Sequence, residues 1–274
     1  MPQDHHLQSQ RFELKYQIPP EIARPMREFV ACYLEPDDYS VGRPNLSYSI
    51  HNLYLDSDQL HTHHATVNGD KNRFKLRLRY YDDRPGSPVF FEIKQRENDC
   101  ILKKRCAVRR DAAPLLLAGQ LPEPGHLISR ESRHLAALQR FVELQQSLQA
   151  GPRLHNHYLR EAWVSPHDNS VRVTFDRRIR VEPCFDSRLS TDMDAPREIY
   201  SDMIVLELKF TGRYPNWFRE LVERFGLMRA TASKYCGGVG ILGEYRFSPA
   251  YQDSWREKRG IEQKLVGTGG PNPA

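Results

Sequence analysis

The sequence predicts an α+β fold in one domain, built around an antiparallel sheet with helices packed against it. Eight segments alternate apolar and polar residues with period two, which is the pattern of strands that bury one face. Three longer segments repeat apolar residues at helical spacing instead. The composition, 39% hydrophobic and 27% charged over 274 residues, suits a single sizeable core.

The boundaries of the elements follow from these periodicities. The predicted strands are 11–18, 47–55, 73–81, 88–96, 101–109, 155–163, 170–181 and 203–210. A turn rich in Pro, Gly and Asp, residues 82–88, joins two of them. The predicted helices are 20–34, 130–148 and 215–225. Asp56 and Ser57 can cap a shorter fourth helix. We expect one domain over 1–250 and a flexible C-terminal tail over 251–274.

Several classes of protein are disfavoured by the composition. No apolar run approaches the roughly 20 residues of a membrane-spanning helix, and the first ten residues lack the apolar core of a signal peptide. Five scattered cysteines without a CxxC pair indicate reduced thiols rather than disulfides or a zinc site. We therefore expect a cytoplasmic protein. The net charge of +5 weakly favours an anionic partner, without choosing among nucleic acid, membrane surface and phosphorylated small molecules.

The positive charge is concentrated on the polar faces of the strands. In FKLRLRYY, Lys75, Arg77 and Arg79 point to one side and the apolar residues to the other. Lys103 and Arg105 point to one side of their strand, and Lys104 points to the opposite side. The remaining polar faces carry Glu13, Lys15, Glu92, Lys94, Arg96, Arg160, Arg172, Asp176, Arg178, Glu207 and Lys209.

Two architectures could use such strands. In an ordinary sheet the charged face meets solvent. In a barrel the charged residues can line a lumen while helices cover the apolar outer face, and eight strands leave room for one small ligand. Unpaired, desolvated ions cost several kcal/mol each, so a cationic lumen requires an anionic ligand. Interleaved glutamates would then be oxygen ligands for a divalent metal that bridges phosphate oxygens. A nucleic-acid platform would expose aromatic residues for stacking, whereas most aromatics here share the apolar register.

Six motifs, taken in chain order, resemble the VTC domain. They are RFELKY, FKLRLRYY, FFEIKQR, RVTFDRRI, VLELKF and SKYCGG. This is the polyphosphate-polymerase catalytic domain of vacuolar transporter chaperone complexes, one of the triphosphate tunnel metalloenzymes, and the resemblance spans about residues 10–245. It implies an eight-stranded antiparallel closed β-barrel, the triphosphate tunnel fold, with helices packed outside. The basic lining of such a tunnel grips a triphosphate together with Mn²⁺ or Mg²⁺.

The resemblance also implies roles for individual residues. Catalytic phosphate contacts would come from Lys15, Arg77, Arg79, Lys94, Arg160, Arg172 and Lys234. Further substrate-binding residues would be Lys75, Arg96, Lys103, Lys104, Arg105, Arg178, Lys209 and Tyr235, with the register leaving open which of the three at 103–105 contributes. Glu207 would be the principal metal ligand, with Glu92 and Glu13 as further candidates. Arg11 stands where the related CYTH branch has the first Glu of ExExK, which favours the VTC-like branch.

The implied function is that of a metal-dependent polyphosphate polymerase, which transfers the γ-phosphate of ATP to a growing chain. With water as acceptor, the same site would be an inorganic or nucleoside triphosphatase. The third interpretation is a non-catalytic module that binds polyphosphate. The expected partners are ATP, triphosphate or polyphosphate, and nucleic acid is not expected. The sequence shows no counterpart of the SPX domain or membrane segments of complete transporter complexes, so translocation of the polymer is not expected. No transmembrane segment is expected, and a partner in a membrane complex is not indicated but stays open.

One motif stands apart from this interpretation. His61, His63 and His64 have a spacing that could bind a metal, although a surface helix or loop is the ordinary explanation of such a run.

Overall fold

The structure, a computed structural model, describes residues 11–98, 100–166, 168, 170–249, 251–255 and 257. Its sheet consists of β1 (Arg11–Ile18), β2 (Glu35–Pro36), β3 (Ser47–Asp56), β4 (Asn72–Tyr80), β5 (Val89–Glu97), β6 (Cys100–Val108), β7 (Gly151–Val164), β8 (Val171–Pro183), β9 (Arg197–Glu198) and β10 (Ile204–Thr211). The α-helices in these ranges are α1 (Pro20–Val30), α2 (His61–Val67), α3 (Ala113–Leu117), α4 (Ser132–Ser147), α5 (Asn216–Arg224) and α6 (Lys234–Leu242).

The α+β class and all eight predicted strands are confirmed. The boundaries differ by a few residues, most at β7, which begins at Gly151. The first predicted helix ends at Val30 rather than at residue 34. The fourth predicted helix is α2, and Asp56 caps it: Oδ1 accepts from the backbone N–H of Thr62 at 2.9 Å and Oδ2 from that of His63 at 3.0 Å. The short strands β2 and β9 have two residues each, too few to produce a periodic signal.

The prediction of a closed eight-stranded barrel is wrong. Eight long antiparallel strands follow the order β1-β10-β8-β7-β3-β4-β5-β6, and β2 and β9 add to β7 and β8, so the sheet has ten strands. Within the described ranges no ladder joins β1 to β6, although Cα atoms of these two edge strands come within 8 Å. Alternation of apolar and polar residues fixes which face is buried, but it leaves the pairing of the edges undetermined.

Helices cover the apolar face of the sheet, as predicted. α1 and α5 pack on β1, β8 and β10, where Met26 and Phe218 are fully buried. α4 packs on β5 and β6, and its Phe141 ring lies edge-on to Phe91 at 4.8 Å. Burial of each such large apolar side chain contributes about 1.5–3 kcal/mol. α6 lies so close to β7 that a Cβ on Gly238 would come within 2.8 Å of the Leu154 side chain.

The C-terminal segment is described only in part. Tyr251 and Trp255 pack edge-on against Phe185, with ring centroids 6.4 Å and 5.7 Å away. Residues 258–274, including the end of the predicted tail, lie outside the described residues. Among the helices that can be described, none combines the length and apolarity that crossing a membrane requires.

Candidate anion-binding site on the concave face

The polar face of the sheet is curled inward. Lys94 on β5 and Glu13 on β1 belong to the seventh and first strands of the path, yet Nζ of Lys94 lies 3.1 Å from Oε2 of Glu13. The polar side chains of the other long strands therefore lie on the concave side of the sheet. We call this surface the cationic face. It carries eleven basic residues, namely Lys15, Lys75, Arg77, Arg79, Lys94, Lys103, Arg105, Arg160, Arg172, Lys209 and Lys234.

Five carboxylates interleave with these cations. They are Glu13, Asp37, Glu92, Asp176 and Glu207. Because basic residues outnumber acidic ones by more than two to one, the face keeps an excess of positive charge even when every carboxylate is ionised.

Glu207 lies at the centre of one charge cluster. Its Oε1 is 3.4 Å from Nζ of Lys15 and 3.6 Å from Nζ of Lys234, and its Oε2 is 2.5 Å from Nζ of Lys209. Arg160 adds a contact of 3.4 Å from Nη2. Burial alone would raise the pKa of Glu207, but Lys209, Lys15, Lys234 and Arg160 hold it well below its usual range. The carboxylate is therefore ionised at neutral pH.

Asp176 joins the same cluster from β8. Arg160 forms a bidentate salt bridge with Asp176, in which the Nε–Oδ1 and Nη2–Oδ2 distances are both 2.7 Å. Nζ of Lys234 lies 2.6 Å from Oδ2 of the same carboxylate. Burial would raise the pKa of Asp176, but Arg160 and Lys234 lower it. Lys234 is the first residue of α6, and Ser233 caps that helix by accepting from the N–H of Cys236. The start of the helix thereby carries an ammonium group into the cationic face.

Glu92 forms a second cluster on β5. Its nearest cations are Arg77 at 2.7 Å, Lys103 at 2.9 Å and Arg105 at 3.3 Å, while Arg79 is 3.9 Å away. These cations hold the pKa of Glu92 well below its usual range, against the opposing effect of burial. One carboxylate thus neutralises four basic groups only in part.

Two basic residues have little anionic compensation. Nζ of Lys75 donates to the Ser233 hydroxyl at 3.4 Å and has no carboxylate within 4 Å in the described part of the chain. Arg79 is 7% exposed and donates through Nε to the Asn52 side chain at 3.0 Å, with Glu92 only at 3.9 Å. Burial lowers the pKa of Lys75, and Lys94 and Lys15 lower it further. An anion bound beside Lys75 would relieve its electrostatic repulsion with Lys94 and Lys15.

The structure assigns positions to the predicted site residues. It brings all seven predicted catalytic cations onto the cationic face, together with Lys75, Lys103, Arg105 and Lys209. Lys104 pairs with Ile93 and lies on the opposite, apolar face, which settles the register at 103–105. Arg178 sits where the β7–β8 register shifts, with φ +48 and an exposed side chain, so it leaves the face.

Two other predicted residues have different surroundings. Arg96 shares the polar face but lies near the end of β5, where Nε donates to the Asn98 carbonyl at 2.7 Å. Tyr235 is buried and donates its hydroxyl to Asp56 at 2.7 Å while its ring stacks on Tyr54 at 5.0 Å. It fixes α6 against β3 in this structure.

Sequence reasoning missed several polar partners of the face. Asp37 follows β2 and receives Nη2 of Arg172 at 2.6 Å and the hydroxyl of Tyr48 at 3.3 Å. Asn52 and Tyr158 each accept a hydrogen bond from Arg79. Only Asp37 had no periodic signal to reveal it, because it lies outside the long strands.

A divalent metal fits part of this donor set. Glu13 and Glu207 approach the same Lys15 ammonium, with oxygen atoms 3.1 Å and 3.4 Å from Nζ. Lys94 and Lys15 lower the pKa of Glu13 against the effect of burial, so both carboxylates are ionised. Ionised carboxylates are the oxygen ligands that Mg²⁺ and Mn²⁺ prefer. Glu92 faces four cations and shares none of them with a second carboxylate in the described residues, so it fits a metal less well.

These features define the class of protein as α+β, with a curled antiparallel sheet, a concave cationic face and helices packed outside. The family model of the VTC domain matches residues 10–242, and the chain belongs to the VTC domain family. This family is associated with polyphosphate polymerases, so the function of the chain is related to polyphosphate.

Other comparisons are more distant. Among solved structures, the PH1819 protein from Pyrococcus horikoshii OT3 is 13% identical, with a TM-score of 0.39 over 82% of this chain and 97% of that one. The comparison with curated proteins found no match.

Proposed function

We propose that this chain is a metal-dependent phosphotransferase of polyphosphate-polymerase type, which transfers the γ-phosphate of ATP to a growing polyphosphate chain on the cationic face. The observation that carries the proposal is the excess of basic groups on the cationic face, where eleven basic residues surround five carboxylates. Among the described residues, Lys75 and Arg79 have no carboxylate closer than 3.9 Å. Family membership supplies the link to polyphosphate.

The proposed reaction forms one P–O bond and breaks another. A terminal phosphate oxygen of the acceptor chain attacks the γ-phosphorus of ATP, and the bond from that phosphorus to the β,γ-bridging oxygen breaks. ADP leaves with the electron pair of that bond, and the acceptor gains one phosphate. Such transfers require positioning and charge neutralisation rather than a nucleophilic side chain.

The residues of the face divide this work by their chemistry. Arginine guanidinium groups, such as those of Arg77 and Arg160, bind pairs of non-bridging phosphate oxygens. The Lys15 and Lys234 ammonium groups act as point charges that align successive phosphates. Glu13 and Glu207 would hold Mn²⁺ or Mg²⁺, which supplies neutralisation of the charge on the departing diphosphate. Lys15 would then pair with phosphate oxygens instead of with these two carboxylates.

A product assay tests the proposal. Purified protein is incubated with ATP and Mn²⁺ or Mg²⁺, and the products are resolved by gel electrophoresis and by release of phosphate. Long chains together with ADP support the polymerase, and Lys234→Ala should abolish them. Free phosphate without chains would replace the proposal with a triphosphatase that uses water as acceptor. If the protein forms neither product but still binds polyphosphate, it is a non-catalytic binding module.

A further inference from the structure

Two histidines and a glutamate converge away from the cationic face. Nε2 of His63 lies 3.2 Å from Oε1 of Glu244, and Nε2 of His64 lies 3.7 Å from Oε2 of the same residue. One ligand atom from each of the three residues lies within 4.8 Å of the other two. His63 and His64 belong to α2, and Glu244 follows the end of α6. The cluster therefore spans two elements that are distant in sequence.

One of the three side chains is buried, and the other two are accessible to solvent. His63 is 3% exposed, and its backbone N–H is held by Asp56. The side chains of His64 and Glu244 are 46% and 54% exposed. A dissolved ion can reach the outer two groups and complete its coordination on the buried imidazole.

The donor chemistry selects the ion. Two neutral imidazole nitrogens and one carboxylate form a ligand set that Zn²⁺ uses, with a fourth position left for water. Mg²⁺ prefers oxygen ligands throughout, as Glu13 and Glu207 offer on the cationic face. We propose that His63, His64 and Glu244 form a second metal site, selective for Zn²⁺ or a similar transition-metal ion and separate from the polyphosphate site.

Neighbouring groups orient this site and connect it to α6. Asp56 accepts both the N–H of His63 and the hydroxyl of Tyr235, which lies in the first turn of α6. Asp56 thereby fixes the position of His63 relative to the start of α6. A bound ion would fasten α2 to the residues that follow α6, and α6 begins with Lys234 of the cationic face.

Zinc titration of paired variants tests the site. The number of Zn²⁺ ions bound per chain is measured by calorimetry for the wild type, His64→Gln and Glu244→Gln, and Zn²⁺-induced stabilisation by thermal unfolding. Both substitutions are at accessible side chains, so folding is expected to survive. His61→Gln is the matched control, since His61 lies on the same helix outside the cluster.

The expected result is the loss of one Zn²⁺ equivalent per chain in His64→Gln and in Glu244→Gln, together with its thermal stabilisation. His61→Gln should bind as the wild type does. Because the count is a difference, ions bound by the N-terminal His5 and His6 or by the cationic face cancel. Unchanged stoichiometry in both ligand variants, or no Zn²⁺ binding by the wild type, would overturn the proposal.

Discussion

Glu13 and Lys94 lie 3.1 Å apart, Oε2 to Nζ, although their strands are the first and the seventh of the sheet. A salt bridge between side chains thus spans a gap that no backbone ladder closes in the described residues. This contact links the first and seventh strands across the concave cationic face. An anionic ligand would compete with Glu13 for Lys94 and would add the negative charge that the face lacks.

Tripolyphosphate should therefore stabilise the folded protein. A ligand that binds only the folded state at a hundred times its Kd contributes about 2.7 kcal/mol. We expect the melting temperature to rise by several degrees at millimolar tripolyphosphate, and the rise to shrink with added salt. Differential scanning fluorimetry at matched ionic strength measures it. The absence of any shift would mean that the face is an ordinary solvated surface.

Replacement of Glu207 should separate binding from turnover. Glu207→Gln removes a carboxylate contacted by four cations, so polyphosphate binding should persist while the rate of ATP consumption falls by about 10²–10³-fold. Kinetic assays and equilibrium binding on the same preparation measure the two effects. Glu143→Gln, an equal change of charge on the exposed face of α4, should leave both unchanged. Retained turnover in Glu207→Gln would refute the metal-binding role.

The buried pair of Arg160 and Asp176 should be important for stability. Arg160→Ala leaves a fully buried carboxylate with Lys234 as its remaining cation, and loss of one partner of a buried pair costs roughly 3–5 kcal/mol. Arg24→Ala, which breaks the exposed pair with Glu28, should cost less than about 1 kcal/mol. Urea denaturation compares the two variants. Equal losses would show that burial does not govern these ion pairs.

Acid should destabilise the protein through a histidine cluster on the outer side of the sheet. Ser49 bridges His51 and His157, with Oγ 3.2 Å and 2.7 Å from their Nε2 atoms, and Nδ1 of His51 is 3.0 Å from Nε2 of His155. Burial, with the neighbouring histidines and Arg180, lowers the pKa of His51 to about 2. Burial and Arg180 lower the pKa of His157 to about 4.

These pKa values determine how the free energy of unfolding changes with pH. Both lie below the usual 6.5, so the unfolded chain binds protons that the folded chain excludes as pH falls below 6.5. Between pH 7.5 and pH 5 each histidine should remove about 2 kcal/mol from the free energy of unfolding. Urea denaturation at both pH values measures the loss, and His157→Gln should reduce it. Equal loss in wild type and variant would exclude this histidine as the cause.

Much of this architecture is predictable from the sequence because alternation dictates which face each residue occupies. Lys75, Arg77 and Arg79 follow that rule and reach the cationic face together. Arg178 does not, since an irregularity in the β7–β8 pairing places it in a positive-φ conformation that alternation cannot reveal.

The sequence also could not predict whether the sheet closes into a barrel. Closure depends on whether the edge strands β1 and β6 pair through their backbones, whereas the side-chain contact of Glu13 with Lys94 joins β1 to β5. Asp37 was missed for a related reason: it follows a two-residue strand, and tertiary folding alone carries it to Arg172.

The most direct test of the central claim compares the two faces of β6. Lys103 and Arg105 contact Glu92 on the cationic face, whereas Lys104 lies on the outer face and Arg109 follows the strand beside Asp111. The double variants Lys103→Ala/Arg105→Ala and Lys104→Ala/Arg109→Ala each remove one lysine and one arginine from neighbouring positions.

Calorimetric titration with tripolyphosphate measures the Kd of both variants against the wild type. If the cationic face binds the anion, the inner double variant should bind at least about tenfold more weakly, a loss of about 1.4 kcal/mol or more. The outer double variant should stay within about twofold of the wild type. Equal weakening in both variants would show that net charge alone attracts the anion, and would contradict a polyphosphate site on the cationic face.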